Sequence, residues 1–364
     1  MASTIAAVTT SGGGVVTTAD ASGNLNLLAG TTTVVALTTA GAAVTGTLSA
    51  TGLISGSLDQ VTGFKNRIIN GAMVLDQRNA AASQTFTAAA ALAYSVDRWY
   101  GYCTGANVTG QQVAGSTTPT NTQFRYKFTG AASVTAVGFG QRIEQKNSYD
   151  MAGSTCTLSA DLAISATLTT VTWTASYATT TADTFGTLAS PTVTQIATGT
   201  FTVSATVTNF STNISVPAAA TTGIQIVFTV GALTAGLTWT IGNVQLEKGS
   251  TATSFDYRPY GTELQLCQRY FQGVQTYFGL KTASGYTRVN IALPVSMRVS
   301  PSISYYDGGG NTSRISTFSS GDAQTNNRTP IAVAGASSLQ IQILPNNTDA
   351  DTGYLFNASM SAEL

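Results

Sequence analysis

The sequence predicts an all-β protein: a run of short strands, a central antiparallel β-sandwich, one short helix and a smaller β domain. Three observations carry that expectation. Between residues 65 and 260, apolar and polar side chains alternate with period two in segment after segment, the pattern of strands with one buried face. Thr is abundant in these segments, and its β-branched side chain suits a pleated surface. Only one stretch, Thr262 to Gly273, spaces its apolar residues as a helix does.

Residues 1–62 run in short apolar and Thr-rich pieces divided by glycine: GGGVVTTADASGNLNLLAG, TTTVVALTTAG and AAVTGTLSATGLISGSL. These read as brief strands and turns. No piece has the apolar surface for a core of its own, but several chains wound together bury such surface cooperatively. An attachment and shaft segment of an oligomer is therefore expected. The alternative is a low-complexity leader without fixed structure. Against it stand Val15, Val16, Leu25, Leu27, Leu28, Val34, Val35 and Leu37, more apolar residues than such leaders usually carry.

Residues 63–260 are expected to form the sandwich. Their strand faces read Phe124, Tyr126 and Phe128; Phe139, Gln141 and Ile143; Leu158, Ala160, Leu162 and Ile164; Val171, Trp173, Ala175 and Tyr177; Phe201, Val203, Ala205 and Val207; Ile224, Ile226, Phe228 and Val230; and Leu237, Trp239 and Ile241. That number of short alternating segments calls for two packed antiparallel sheets. Gly242-Asn243 interrupts the last alternation and reads as a bulge.

Residues 261–364 are expected to hold the helix and a distal β domain. Thr262 and Gln265 have capping-box spacing, Glu263 sits in the first turn, and Gly273 stands where a left-handed cap is expected. Leu264, Cys267 and Phe271, with Leu266 and Tyr270 alongside, form its apolar stripe. Beyond it YTRVNIALP, SISYYD, SRISTF, TPIAVAG, SLQIQILP and YLFNASMSAEL read as strands.

Composition bounds the function. Charged residues are 9% of the chain, against about 25% in an ordinary globular protein. No Lys or Arg occurs before Lys65 or between Lys146 and Lys248, so the clustered cations of a nucleic-acid binder are missing. A formal net charge of zero removes the usual electrostatic protection against association, which favours stable assembly. Cys103, Cys156 and Cys267 are odd in number and widely spaced; they read as buried small hydrophobes in a chain folded under reducing conditions. No secretory leader and no apolar run of membrane-spanning length is apparent, so no membrane insertion is expected.

The charge that exists is gathered in two islands, KNRIINGAMVLDQRN…SVDRWY and GNVQLEKGSTATSFDYRPYGTELQLCQRYF, which carry twelve of the 32 charged side chains. In this order they resemble bacteriophage tail-fibre and tail-tip proteins over about residues 65–272. Asn70-Gly71 and Val244-Gln245-Leu246-Glu247 also look like the first and last strands of carbohydrate-binding jelly-roll modules. The resemblance implies a jelly-roll-like sandwich and a homotrimer. It further implies docking to other virion proteins through the N-terminal segment, and location in a virion assembled in the cytoplasm of a bacterial host.

The chain has no histidine, which removes Ser/His/Asp triads, His-ligated zinc and imidazole acid-base catalysis. No phosphate loop is present, because Gly12-Gly13-Gly14 lacks the Lys and the flanking strand and helix. Paired carboxylates of a glycosidase remain open, with Glu144, Asp150, Asp161, Asp183, Glu247 and Asp256 as candidates. Structural ion pairs are the expected role, since a neighbouring cation lowers a carboxylate pKa when a general acid needs it raised. No catalytic residue, metal site or cofactor is expected. Trp99, Tyr100 and Tyr102 suggest a sugar-stacking platform, but alternation sends Trp99 and Tyr100 to opposite faces and assigns Trp99 to the core. The ligand-binding residues expected are Tyr286, Tyr305 and Tyr306, beside glycine-rich turns.

Together these readings describe a non-enzymatic virion fibre or tail-tip protein that binds host-surface glycan in three copies. A purely structural fibre, decoration protein or baseplate spacer is the alternative, and a polysaccharide depolymerase a further one.

Overall fold

A computed structural model describes residues 25–29, 32–38, 41–44, 64–89, 91–165, 167–280, 287–319, 324–328, 331–343 and 351–364. The chain divides into two compact units, Met1–Thr62 and Gly63–Leu364. In the first, β1 (Leu25–Ala29), β2 (Thr32–Thr38) and β3 (Gly41–Val44) pair antiparallel in that order. The expectation for Val15 and Val16 lies outside the described residues.

The sandwich of the second unit contains β4 (Gln84–Phe86), β5 (Ala93–Tyr94), β6 (Tyr100–Thr104), β7 (Val108–Ala114), β8 (Phe124–Thr129), β9 (Ala136–Ile143), β10 (Thr155–Ile164), β11 (Thr170–Ala178), β12 (Val193–Thr202), β13 (Thr208–Ser215), β14 (Ile224–Val230) and β15 (Thr238–Lys248). One sheet runs β13-β10-β15-β8-β7-β4 and the other β12-β11-β14-β9-β6-β5, every pair antiparallel. The fold is an antiparallel, jelly-roll-like sandwich, and its core is the alternating faces read from the sequence. Trp99 stacks on Phe139 and Phe139 on Tyr126, each pair with centroids 4.9 Å apart, while Phe128 stacks on Trp239 at 5.3 Å. Burying each such ring is worth about 1.5–3 kcal/mol before packing geometry is counted. The bulge falls where Gly242-Asn243 placed it: the register against β10 shifts between Ser159 and Asp161, and Asn243 takes a φ of 43°.

Three local expectations are corrected. Phe201, Val203, Ala205 and Val207 are not one strand. β12 ends at Thr202, and the chain crosses to the other sheet through an exposed turn at Ala205-Thr206 before β13 begins. After a single helical turn α1 (Gln145–Ser148), the expected helix is α2 (Tyr260–Gln268), with Pro259 at its N-cap and no side-chain capping bond, so the Thr262/Gln265 box does not form. Glu263 is drawn inward instead, accepting from Asn70 N and Arg258. Gly273 lies inside a strand rather than at a cap.

That strand is β16 (Phe271–Leu280), followed by β17 (Thr287–Ala292), β18 (Ser302–Tyr306), β19 (Ile315–Ser319), β20 (Gln324–Arg328), β21 (Ile331–Ala334), β22 (Ser338–Ile343) and β23 (Asp351–Ser361). β23 organises the distal part, with β16 along one side and β18 and β19 along the other. Tyr354, Phe356, Ala358 and Met360 pack with Met297 and Ile315 as a second core. A third cluster, of Ile69, Leu75, Cys267 and Tyr270, seats α2 against the loop that precedes β4.

Candidate functional site

The outer faces of the two sheets differ in what covers them. On the β10/β15 side Thr157, Ser159, Asp161, Gln245 and Glu247 point outward, yet all are buried. The segment after β15 folds back over Thr157, Gln245 and Glu247, Thr157 Oγ1 donating to Gly249 O at 2.8 Å. Thr253 donates from N to Glu247 Oε1 (2.8 Å) and from Oγ1 to Glu247 Oε2 (2.6 Å), and Asp256 N donates to Gln245 Oε1 (2.8 Å). Asp256 Oδ2 accepts from Asn66 N, Lys65 Nζ reaches Thr253, and Arg258 donates to the carbonyls of Asn66 and Ile68. The two charged islands thus fasten the first segment of the unit to the strap behind its last sandwich strand. Every outward polar group of a covered face needs a partner, and a charged motif supplies them.

The outer face of the other sheet is open. One row of its register runs Tyr102, Gly138, Thr229, Thr172 and Thr200 across five strands, a span of about 19 Å at sheet spacing. The next row contains Tyr100, Gly140, Val227, Thr174 and Thr198. Tyr102, Val227, Thr229, Thr172 and Thr174 are half-buried, and Thr198 and Thr200 exposed, with no formal charge among them. A Cβ on Gly138 would fall inside the Tyr102 ring, so the phenol lies against the glycine and presents its other side outward. Tyr100 is covered: Arg142 Cζ sits 5.4 Å from its ring centre and Tyr94 meets it edge-on at 6.1 Å. Arg142 also closes that end by donating to Leu364 O, Gly186 O and Gln225 Oε1. The open area is a flat, uncharged surface of one aromatic ring and hydroxyl-bearing threonines. Such a surface offers apolar contact and hydrogen bonds to a neutral polyhydroxylated ligand.

The residues expected at the site fare differently. Tyr286 lies outside the described residues. Tyr305 and Tyr306 are half-buried neighbours on β18 and face opposite sides of their sheet, Tyr305 packing against the distal core. The turn after them is held shut, because Asp307 Oδ1 accepts from Gly309 N, Asn311 N and Asn311 Nδ2. Trp99 is core, as alternation required. Of the three aromatics weighed as a stacking platform, Trp99 and Tyr100 are buried and Tyr102 is the half-buried one on the open face. Its signal was Tyr100-Gly101-Tyr102 set against Gly138-Phe139-Gly140, two aromatics and two glycines with the same period of two.

All six candidate carboxylates are engaged. Glu144 accepts from Arg269 Nη2 (2.8 Å) and Tyr270 OH (2.9 Å); burial alone would raise its pKa, but these bonds bring it below the usual value. Asp150 pairs with Arg67 at 2.8 Å, and Asp183 accepts from Gln145 N at 2.6 Å. Asp161 accepts from Asn209 and Asn243 and lies 3.8 Å from Arg125; burial nevertheless raises its pKa. Glu247 and Asp256 are held in the strap. Among the described residues no group of three potential metal ligands comes together, and no helix is long and apolar enough to cross a membrane.

No family model matches the chain, and no curated protein matches it. Solved structures align to about half of it. One is the enzymatically active domain of tailspike protein 4 of bacteriophage CBA120, at 16% identity and a TM-score of 0.33, covering 51% of this chain and 22% of that domain. Another is TmCBM61, solved with β-1,4-galactotriose, at 11% identity and a TM-score of 0.32, covering 51% of this chain and all of that module. A third is the CBM22-1 xylan-binding domain of Paenibacillus barcinonensis Xyn10C, at 11% identity and 0.27, covering 42% and 87%. None of these alignments reaches a TM-score of 0.5, and the sandwich assignment rests on this chain's own strand pairing.

Proposed function

We propose that this chain is a fibre or tail-tip subunit of a phage virion, assembled as a homotrimer in the bacterial cytoplasm, which binds neutral glycan on the host surface. The single observation that carries the binding part is the uncovered, uncharged sheet face on which Tyr102 lies against Gly138. The virion part is supported by the order of the two charged islands along the sequence. Binding of a sugar chain to one flat face is weak, and three linked faces per fibre raise avidity by orders of magnitude.

The test uses labelled full-length protein, its mass set by light scattering, against a panel of bacterial strains and their extracted polysaccharides. Trimeric protein that decorates a strain, with Tyr102→Ala losing about tenfold in affinity (about 1.4 kcal/mol), supports the reading. Loss in a Tyr305→Ala, Tyr306→Ala double variant instead moves the site to the distal sheet. A purely structural virion role is favoured by one observation, that the recognisable motif residues fasten the chain to itself. It predicts a trimer that binds no strain.

A further inference from the structure

Four hydroxyl-bearing side chains stand in one line across the open face. Tyr102, Thr229, Thr172 and Thr200 share a register row on β6, β14, β11 and β12, with Gly138 of β9 beneath the phenol. Among the described residues, the hydroxyls of Thr229, Thr172 and Thr200 hydrogen-bond to no protein atom, whereas Thr174 and Thr198 in the next row bond to each other at 3.1 Å. The first row therefore keeps its hydroxyls for a ligand. The direction along the strands is closed beyond the second row. Arg142, two residues past Gly140 on β9, donates there to Gly186 O and Leu364 O, with its guanidinium carbon 5.3 Å from the centre of the Phe185 ring. Across the strands no such wall stands at the Thr200 end, because β12 is an edge strand.

We infer that the ligand is an extended run of neutral sugar units lying across the strands along this row, from Tyr102 to Thr200, and not a single terminal sugar. An extended chain of pyranose rings advances by close to one strand spacing, about 4.8 Å, per ring, so successive rings meet successive threonines. One ring lays its apolar face on Tyr102. Later rings exchange hydrogen bonds with Thr229, Thr172 and Thr200, each of which can donate and accept. The inference rests on the reading of this face as a glycan site and adds to it the direction and extent of the ligand.

The experiment measures binding of the full-length protein to a size-fractionated partial hydrolysate of the polysaccharide from a strain it decorates, from single sugars upward. Affinity is expected to rise with fragment length and to level off once fragments span the row, single sugars binding about a hundredfold more weakly than the longest fragments. Thr200→Ala is expected to weaken the longest fragments about fivefold and to leave the shortest unchanged. Thr104→Ala is the control and is expected to change neither. Thr104 is exposed two residues beyond Tyr102 on β6, where a ligand running along the strand would reach instead. Equal affinity for single sugars and long fragments, or a loss with Thr104→Ala in place of Thr200→Ala, overturns the inference while a loss in Tyr102→Ala keeps the face as a glycan site. Unchanged binding in Tyr102→Ala, or no polysaccharide bound at all, removes the face as the site and the inference with it.

Discussion

Arg98 donates through Nη1 to the carboxylate of Glu363, 265 residues further along the chain. The arginine is fully buried with a φ of 73°, its Nη2 donates to Arg142 O at 2.5 Å, and its guanidinium carbon sits 3.5 Å from the centre of the Tyr270 ring. Arg78 adds a second donor to Glu363 at 3.0 Å. The final residues are thereby clasped to the sandwich edge. Removing one partner of a buried pair strands the other charge. Glu363→Ala is expected to lower unfolding free energy by about 3–5 kcal/mol in chemical denaturation, with Arg78→Ala costing less because Arg98 keeps its partner.

Asp97 bears on the same junction. Burial pushes its pKa up to about 6 despite bonds from Gln77, whose Nε2 also reaches Phe271 O at 3.2 Å. A carboxyl whose folded pKa lies above its unfolded value of about 4 is favoured in its protonated form by folding. Its contribution is full below pH 4 and is lost as pH rises through 6. The wild type should gain about 2–3 kcal/mol on going from pH 8 to pH 4 relative to Asp97→Asn, read from denaturant midpoints at each pH. Parallel pH profiles for the two proteins would remove Asp97 from this role.

Gly138 sets the posture of Tyr102. Gly138→Ala places a methyl group where the ring lies, so the ring must lift from the sheet. Overpacking of this kind costs about 1–3 kcal/mol, and the partly exposed ring puts the cost at the lower end. Glycan affinity is expected to fall with the displaced ring while far-UV circular dichroism is unchanged. Equal affinity in the variant would show that the ring's flat placement is not used.

The three thiols are all buried, and burial pushes Cys156 up to about 11 and Cys267 well above the ordinary thiol value. Reaction requires both access and thiolate. At pH 7.5 a chromogenic disulfide reagent is expected to titrate no thiol in the folded chain and three after denaturation. Prompt labelling of one thiol in the native state would show that its packing opens readily.

Much of the fold was legible because period-two alternation is a direct consequence of one buried face per strand. Tyr126, Phe128, Leu158, Trp239 and their neighbours fill the core they were assigned. The bulge at Gly242-Asn243 was visible as a break in that period. The alternation through Phe201 to Val207 misled because a turn between sheets can carry the same pattern for a few residues. The box at Thr262 misled because the helix starts earlier, at Tyr260 behind Pro259, which puts Thr262 inside the first turn instead of at the cap.

The sequence by itself determined the all-β class, the alternating core and the exclusion of histidine chemistry, since these follow from residue type and local period. Only the tertiary structure decided which polar face is covered and which is open. Gln245 and Glu247 look like surface residues until residues 249–258 fold over them, and Tyr102 looks like Tyr100 until Arg142 and Tyr94 cover one and leave the other half-buried. Exposure depends on which distant segment packs above a face, and local sequence does not encode that.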